Sequence, residues 1–576
     1  MLNDHQEEIA HANSNNNESE ESVSLEGVKS RASQRILNVN VGILGHVDSG
    51  KVSGGICFDF CHVDLHGPND QIDFGTSLFR QAAFDKNPQS QERGITLDLG
   101  FSAFYSDSQL PNYDKIQFTL VDCPGHASLI RTIIGGAQII DFMVLVIDAI
   151  KGVQTQTAEC IVIGEITCDN LIVALNKIDM IPVDQREERI DKIKKSLVKN
   201  VFSQTKFKNP PIIPVCADPR EESDKKIKQE CLDHLVKEFH KFVKVTEKNE
   251  NEPFLFMVDH CFSIKGKGTI LTGTVLQGCV TIGKNIHIPS LGEEKKVKSI
   301  QMFKTPVDKA IKGDRIGIAV TKLDSKKLER GFVCDKGYIE IIDTVLATAS
   351  RIRFFKKEIK GGAKYHVSVG HETVMGNITL ISRSKKEGLS SEVFDPTLEY
   401  TLVEDFEENT HVERDVFVKI EFEQPICCYA NAHYIASKLD TDIHANTCRL
   451  SFNGRILQMW NRDQVPKAQL AKMLPVFKYK EKRGVVDRVE NANTIIGKNI
   501  LNSKSQSLQP FIGRTVAILV DDQPRFYGTI DSSFGQSGKF RVVFKDPLPK
   551  QPNLRNKPIQ FRYKVNIYDE TKTWYQ

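Results

Sequence analysis

Residues 36–51 read ILNVNVGILGHVDSGK and set the class of the first domain. The apolar run Ile36–Leu44 predicts a buried strand. A loop that begins with glycine and ends in Gly-Lys follows it. Such a loop can cradle phosphates, because its backbone N–H groups converge and its lysine adds a positive charge. The stretch predicts a nucleotide-binding α/β domain, and its candidate GTP-binding residues are Gly45, His46, Val47, Asp48, Ser49, Gly50 and Lys51.

Two further motifs carry candidate metal ligands. The motif DCPGH at residues 122–126 follows an apolar run, which places Asp122 at a strand end where it can hold Mg²⁺ through water. The N–H of Gly125 can meet a γ-phosphate. Thr96, the last residue of the motif RGIT, is placed to add a hydroxyl to Mg²⁺ and to sense the γ-phosphate. This spacing is typical of a hydrolytic nucleotide switch.

His126 is the candidate catalytic residue. It follows the Asp-x-x-Gly motif, where most small signalling GTPases have Gln. We assign it to positioning the attacking water. The alternative is that His126 only caps the next helix.

The motif Asn176-Lys177-Ile178-Asp179 specifies the base. A carboxylate at a strand end can accept hydrogens from guanine N1 and from its exocyclic amine, whereas adenine offers no such pair. The motif therefore predicts GTP as the nucleotide, with Asn176, Lys177 and Asp179 as contacts. Cys216 and Ala217 are further candidate GTP-binding residues.

Length and composition exclude several classes of protein. The chain has 576 residues, of which 40% are hydrophobic and 26% charged, enough for several folded domains. It has no apolar run of 18 residues, and its first residues are polar and acidic, so we expect neither a membrane span nor a signal peptide. The 13 cysteines are scattered and include the adjacent pair Cys427-Cys428, which indicates reduced thiols of a cytoplasmic protein.

The pattern along the chain predicts its fold class: an α/β P-loop GTPase domain, then two antiparallel β-barrels and a C-terminal β-rich domain. Strands alternate with helices up to about residue 248, as in a parallel sheet. Apolar runs at 36–44, 116–121, 142–147 and 171–175 predict the strands, and helix-like stretches lie at 127–139, 155–166, about 184–200 and near 223–243. Short β-branched runs with glycine punctuation follow, and a helix-like stretch at 463–473 precedes a last β-rich block with runs at 515–520, 526–531 and 539–544. The expected divisions are an acidic disordered tail at 1–35, the GTP-binding domain at 36–248, barrels at 249–342 and 343–480, and a basic fourth domain at 481–576.

Charge is distributed unevenly along the chain. Residues 1–30 carry seven carboxylates and one lysine, while residues 481–576 carry 16 Lys and Arg against 9 Asp and Glu, a net charge of +7. The tail cannot bury enough apolar surface to fold. The basic end suits RNA, an acidic partner or a solubilising role, and the residues alone leave these alternatives open.

The motif set resembles the translation-factor GTPases and, more narrowly, the eukaryotic selenocysteine-specific elongation factors. The resemblance covers about residues 36–576 apart from one insertion. Blocks at residues 83–101, 258–262, 369–376 and 442–450 carry it, and a block at 530–540 matches an extra C-terminal domain that general elongation factors lack.

The resemblance implies a GTPase that uses Mg²⁺, binds selenocysteyl-tRNA and delivers it to ribosomes at recoded UGA codons. It implies contact of the fourth domain with the selenocysteine insertion element RNA, its binding protein, the ribosome or the long arm of the tRNA. By motif match it places a selenocysteine pocket at Asp259, His260 and Arg315. A cationic pocket would distinguish an ionised selenol from a neutral serine hydroxyl by about 1.5–3 kcal/mol. We expect a monomer, with no membrane partner.

The sequence departs from the family pattern immediately after Lys51. Val52 stands where P-loops have Thr or Ser, and residues 52–75 form an atypical stretch. In one interpretation this stretch is an insertion, encoded for example by a translated intron, and its removal would join Lys51 to Thr76 as the Mg²⁺ ligand. In another, the first helix has been lost and replaced. A zinc site at Cys57, Cys61, His62 and His66 is the least favoured alternative.

Two other functions compete with selenocysteyl-tRNA delivery. The chain could deliver another aminoacyl-tRNA or an initiator tRNA. If the interruption of the P-loop is genuine, it could instead be an RNA- or ribosome-binding protein that hydrolyses no nucleotide. Nucleotide affinity distinguishes this RNA- or ribosome-binding protein from the two tRNA-delivering functions.

Overall fold

The computed structural model describes residues 35–46, 49, 99–123, 134, 139–217, 222–245, 249–303, 305–385, 390–407, 413–440, 448–501, 507–535, 538–549, 553–571 and 573–576. The expected tail, apart from Arg35, and the stretch 52–75 lie outside these residues. The helix expected at 127–139 also lies outside them, apart from Ile134 and Ile139. Among the described helices, none is long and apolar enough to cross a membrane.

A six-stranded sheet with the order β2-β3-β1-β4-β5-β6 forms the first domain. Its strands are β1 (Ile36–Gly45), β2 (Gly100–Asp107), β3 (Lys115–Asp122), β4 (Phe142–Asp148), β5 (Leu171–Asn176) and β6 (Ile212–Pro214). The apolar runs at 36–44, 116–121, 142–147 and 171–175 are confirmed as strands. The prediction of a parallel sheet was incomplete, because β2 is antiparallel to β3. Only residues 108–114 join these two strands, too few for the crossover that a parallel pair needs.

Described helices of this domain are α1 (Thr155–Thr167), α2 (Val183–Asn200) and α3 (Glu222–Phe242). Their bounds lie within one residue of those expected from the sequence. Phe239 of α3 packs edge-on against Phe118 and Phe142 of the sheet, with ring centroids 5.5 and 5.3 Å apart. Every residue of β4 is buried, which explains why its sequence is continuously apolar rather than alternating.

A seven-stranded antiparallel sheet follows, with the order β10-β15-β7-β8-β14-β11-β12. A further pairing of β10 with β11 closes six of these strands into a barrel. The strands are β7 (Leu255–Ile264), β8 (Gly268–Gln277), β9 (Cys279–Thr281), β10 (Asn285–Ile288), β11 (Glu293–Met302), β12 (Thr305–Val307), β13 (Lys309–Ile311), β14 (Arg315–Val320) and β15 (Gly331–Cys334).

The second barrel runs β18-β22-β23-β16-β21-β19 and closes by pairing β18 with β19. Its strands are β16 (Glu340–Thr348), β17 (Ser350–Arg351), β18 (Lys364–Val369), β19 (Glu372–Ser384), β20 (Tyr400–Val403), β21 (Arg414–Cys428), β22 (His433–Ser437) and β23 (Leu450–Trp460). A buried cluster that includes Tyr365, Tyr434 and Phe452 fills its interior.

The C-terminal strands also close into a barrel, β24-β25-β28-β27-β26-β29, through the pairing of β24 with β29. They are β24 (Val476–Asn491), β25 (Thr494–Lys498), β26 (Thr515–Val520), β27 (Gln523–Phe534), β28 (Lys539–Phe544), β29 (Pro558–Asn566) and β30 (Trp574–Tyr575). The predicted fold class is confirmed, and the last β-rich domain is itself a barrel.

Helix α4 (Lys467–Met473) lies between the last two barrels. The sequence predicted a helix from Asp463, which is wrong at its start. Pro466 is the N-cap, and the residue before a proline is disfavoured in helical conformation. The expected domain boundaries at 342/343 and 480/481 fall within β16 and β24.

The chain divides into two compact units. One comprises residues 1–252, 272–282 and 299–318, and the other comprises residues 253–271, 283–298 and 319–576. The candidate nucleotide-binding residues that the structure describes lie in the first unit.

Candidate functional site

Four adjacent parallel strands end at one edge of the first sheet. In register, Gly45 of β1 lies beside Val146 of β4, Asp122 of β3 beside Ile43 of β1, and Asn176 of β5 beside Asp148 of β4. Ligands bind at this edge in open α/β sheets. The sheet topology therefore brings residues from the separate sequence motifs to a common edge.

Gly45 begins the phosphate-loop motif with a backbone that excludes a side chain. Its φ is +155°, and a Cβ there would lie 2.6 Å from the carbonyl oxygen of Val146. Ser49 follows in a turn in which both its N–H and its hydroxyl donate to the carbonyl of His46, at 3.3 and 2.9 Å. The close approach of β1 and β4 thus requires glycine where the loop begins.

Asn176 is buried and connects two loops of the site. Its Nδ2 donates to the Ser49 carbonyl at 3.0 Å, and its Oδ1 accepts from the Ala217 N–H at 3.1 Å. Cys216, beside Ala217, is buried as well. A single amide side chain therefore holds the end of the phosphate loop and the segment after β6 in place.

Lys177 adopts the left-handed conformation, with φ at 65°. Its Nζ lies 2.9 Å from Oδ2 of Asp148. The other carboxylate oxygen of Asp148, Oδ1, accepts from the N–H groups of Ile150 and Lys151 at 2.8 and 3.0 Å. Burial acts to raise the pKa of Asp148, but hydrogen bonds from Lys151, Lys177 and Ile150 outweigh it and hold this pKa below its ordinary value.

Sequence reasoning missed Asp148. The available signal was a carboxylate at the end of a continuously apolar strand, which is the same signal that identified Asp122. Because no known motif surrounds Asp148, its role became visible only when β4 and β5 were placed side by side.

Asp179 lies half-buried in a short helical turn after Lys177. Arg186 of α2 donates to the backbone carbonyls of Asp179 and Ile181 at 3.4 and 3.3 Å, which anchors the turn. The Asp179 carboxylate has no hydrogen-bonding or ionic partner among the described residues. It is therefore available to a ligand.

Asp122, at the end of β3, is 2% exposed. Its carboxylate oxygens belong to the ligand class that Mg²⁺ prefers. The described part of the chain contains no group of three or more His, Cys, Asp or Glu arranged around a metal ion.

Several candidate residues lie outside the described part of the chain. They are Val47, Asp48, Gly50, Lys51, Thr76, Thr96, Gly125 and His126, together with the alternative zinc ligands Cys57, Cys61, His62 and His66. Their assignments remain predictions.

Arg315 is buried against the first sheet. Its guanidinium carbon lies 3.0 Å from the centroid of the Phe101 ring of β2, and its Nη1 donates to the Thr274 hydroxyl at 3.4 Å. The preceding turn is held to β1, because the side-chain amides of Asn38 and Asn40 both donate to the Gly313 carbonyl, at 2.9 and 3.0 Å. Arg315 is therefore positioned by strands of the nucleotide-binding sheet.

Asp259 and His260 lie on β7, in the second unit. Asp259 is 2% exposed, and its Oδ1 lies 3.0 Å from Nε2 of His371, which is also buried. His260 is half-buried. Asp259 therefore pairs with a residue of the second barrel that sequence reasoning did not assign to any site.

Comparison with known proteins identifies the family of this chain. Residues 37–259 match the model of the elongation factor Tu GTP-binding domain, and residues 268–334 match elongation factor Tu domain 2. Residues 346–454 match the third domain of eukaryotic selenocysteine-specific elongation factor, and residues 472–572 match the eEFSec C-terminal RIFT domain. The mouse selenocysteine-specific elongation factor is 42% identical, over 93% of this chain and 94% of its own. The chain belongs to the family of selenocysteine-specific elongation factors.

A more distant member of the selenocysteine-specific elongation factor family, from Methanocaldococcus jannaschii, is 34% identical, over 60% of this chain and 67% of its own. Among solved structures, translation elongation factor SelB from Methanococcus maripaludis in complex with the GTP analogue GppNHp matches with a TM-score of 0.66 and 23% identity. That match covers 92% of this chain and 99% of the other. A bacterial selenocysteine-specific elongation factor matches with a TM-score of 0.52 and 20% identity, over 73% of this chain and 58% of its own. Membership in the family makes this chain a GTP-binding translation elongation factor and a GTPase.

Proposed function

We propose that this chain, in its GTP-bound form, binds selenocysteyl-tRNA and delivers it to the ribosome at recoded UGA codons, with GTP hydrolysis releasing the tRNA. The observation that carries the proposal is the connection made by Asn176 between the phosphate loop and the Ala217 segment. It occurs in a chain that belongs to the selenocysteine-specific family. The ribosome as partner makes the cytoplasm the proposed place of action.

The described residues fit a guanine nucleotide. Gly45 lets β1 pass close to β4 where the phosphate-loop motif begins, and the Asp179 carboxylate can accept both hydrogens that guanine presents. Asn176 and Lys177 hold the surrounding loops in place. We assign the phosphates to residues 45–51 and Gly125, and the base to Asn176, Lys177, Asp179, Cys216 and Ala217.

The donor chemistry also fits Mg²⁺, which would neutralise developing charge on the phosphates. Asp122 offers a buried carboxylate at the correct sheet edge. We propose Thr96 and Thr76 as the hydroxyl donors and His126 as the residue that orients the attacking water. We assign Thr76 to the place usually taken by the residue after the phosphate-loop lysine, because Val52 carries no oxygen.

The selenocysteine pocket is proposed at Asp259, His260 and Arg315. The position of Arg315 supports its assignment to the pocket, because a guanidinium held by Phe101 and Thr274 keeps its orientation without a ligand. A fixed cation favours an ionised selenol over the neutral hydroxyl of a serine ester. Selectivity for selenocysteyl-tRNA over its seryl precursor would follow from this difference in charge.

We propose that the fourth domain contacts the selenocysteine insertion element RNA or the protein that binds it. Arg488 and Arg541 lie over the Phe534 ring, with guanidinium carbons 5.4 and 5.8 Å from its centroid. Cations beside an aromatic ring suit stacking on single-stranded bases. The domain also carries the basic charge of the chain. We expect the factor to act as a monomer.

Equilibrium binding of fluorescent GTP and GDP with Mg²⁺, to the full chain and to a version without residues 52–75, tests the nucleotide part. Tight binding by both would support the proposal for the chain as it stands and would mean that Thr76 or a substitute reaches the metal. Binding by the shortened chain alone would attribute the activity to the protein without this stretch. Binding by neither would overturn the GTPase assignment for this polypeptide and favour a non-hydrolysing RNA- or ribosome-binding role.

Selenocysteyl-tRNA and seryl-tRNA of identical RNA sequence test the delivery part. The proposal expects preference for selenocysteyl-tRNA in the presence of GppNHp and loss of that preference in Arg315→Ala. Equal binding of both tRNAs by the wild-type chain would favour a factor for another tRNA.

A further inference from the structure

The β18–β19 turn of the second barrel, residues 369–372, packs into the first barrel. Gly370, in this turn, has φ at +57°, and a Cβ there would collide with the Phe332 ring of β15 and lie 3.4 Å from the Met257 side chain of β7. Phe332 also packs edge-on against Tyr429, with ring centroids 5.7 Å apart. The close approach of backbone to ring fixes the position of the turn.

Glu372 secures the other side of this turn. Its Oε2 accepts from the backbone N–H of Cys427 at 3.3 Å, and burial raises the pKa of its carboxyl group. The residue between Gly370 and Glu372 is His371. The chain on both sides of His371 is therefore held by contacts that do not involve Asp259.

His371 contacts the proposed pocket through a hydrogen bond to Asp259. Its Nε2 lies 3.0 Å from Oδ1 of Asp259, and the two side chains are 4% and 2% exposed. When the Asp259 carboxylate is ionised it can only accept, and the ring nitrogen then carries the hydrogen and donates it. A carboxylate so completely removed from water needs such a donor to keep one orientation.

We infer that His371, a residue of the second barrel, is a positioning residue for selenocysteine recognition and acts through Asp259. The inference rests on the proposed function of the pocket. Asp259 is engaged by His371 and has 2% of its side chain exposed, so it contributes to the pocket through the groups packed around it and not by direct contact with the amino acid. Selectivity for the amino acid then depends on the docking of the second barrel against β7.

A matched pair of variants isolates the hydrogen bond. His371→Gln keeps an N–H donor at comparable reach, whereas His371→Met has nearly the same shape as the Gln variant and no donor. We expect His371→Met to lower the ratio of selenocysteyl-tRNA to seryl-tRNA affinity about tenfold, and His371→Gln to stay near the wild-type ratio. GTP affinity should be unchanged in both, because the bond lies outside the nucleotide-binding sheet.

The double variant Asp259→Leu/His371→Met keeps the test valid if His371→Met alone folds poorly. Leu is close to Asp in size and has no acceptor, so the double variant leaves neither a buried carboxylate nor a buried donor unpaired. If the inference holds, the double variant shows the same tRNA ratio as Asp259→Leu alone. An additional loss in the double variant would overturn it.

Three results distinguish a failure of the His371 inference from a failure of the proposed function. An unchanged tRNA ratio in His371→Met would overturn the positioning role while leaving the pocket intact. An equal loss in the Gln and Met variants would assign the effect to ring packing instead of the hydrogen bond and would also overturn the inference. Absence of selenocysteine preference in the wild-type chain would overturn the proposed function, and the inference with it.

Discussion

The side-chain amide of Asn176 donates to the backbone carbonyl of Ser49 at 3.0 Å, across 127 residues of sequence. The same side chain accepts from the N–H of Ala217. Both bonds are buried, so neither partner has water as a substitute. The phosphate loop and the base-recognition region therefore depend on one residue for their relative position.

Replacement of Asn176 by Ala should weaken both stability and nucleotide binding. Two buried backbone groups would lose their partner, at a cost of about 1–3 kcal/mol each. Thermal unfolding and titration with fluorescent GTP measure the two effects. Asn200→Ala is the matched control, since Asn200 is exposed and bonds only to Ser196 among the described residues. Equal effects of the two replacements would contradict this role of Asn176.

Asp179→Asn should change the preferred base. An Asn side chain offers one acceptor and one donor, which suits the N1–H and the 2-carbonyl of xanthine, whereas guanine needs two acceptors. We expect GTP affinity to fall and XTP affinity to rise, measured in parallel titrations. Loss of affinity for both nucleotides without any gain for XTP would argue against the assignment of Asp179 to the base.

Asp148→Asn should destabilise the chain in a pH-dependent way. Because hydrogen bonds from Lys151, Lys177 and Ile150 hold the folded-state pKa of Asp148 below 3.8, its ionised form stabilises the fold above that pH. This contribution disappears as the pH falls through the lowered pKa. The thermal midpoints of wild type and variant should differ at pH 7 and converge toward pH 3.

The exposed Asp191 of α2 provides the control for this comparison. Asp191→Asn should leave the midpoint close to that of wild type at pH 7. A gap between wild type and Asp148→Asn that widened as the pH was lowered would show that the ionised carboxylate does not stabilise the fold.

Phe101→Leu should reduce selectivity for selenocysteyl-tRNA. The guanidinium of Arg315 would lose the ring that it stacks on, and such contacts contribute about 0.5–2 kcal/mol, or about 2- to 30-fold in affinity. Phe101→Tyr keeps the ring and should retain selectivity. Competition between selenocysteyl-tRNA and seryl-tRNA measures the ratio. Identical ratios in the Leu and Tyr variants would mean that the stacking does not orient Arg315.

Gly370→Ala should be more damaging than Gly362→Ala. Both glycines have positive φ, so both replacements incur the cost of the left-handed conformation, about 1–2 kcal/mol. A Cβ at residue 362 would have nothing within 4 Å, whereas one at residue 370 would collide with the Phe332 ring. The difference between the thermal midpoints of the two variants measures how much the collision with the Phe332 ring destabilises the fold. Equal midpoints would show that the turn can move away from the first barrel.

The central strands were predictable because burial on both faces leaves a continuous apolar run. β4 and β5 are buried along their whole length, and each was predicted to within one residue. Strands exposed on one face were harder to delimit. β27 was expected over Phe526–Asp531 and spans Gln523–Phe534, because its ends are paired but polar and exposed.

The sequence by itself determined the nucleotide class, the family and the order of domains, because each depends on short motifs or on local patterns of hydrophobicity. Only the tertiary structure decided that the last β-rich region also closes into a barrel, that Asp148 pairs with Lys177, and that His371 reaches Asp259. These contacts join residues 29 to 112 positions apart (177 − 148 and 371 − 259). No local pattern encodes them, because strand pairing and barrel docking set which distant side chains meet.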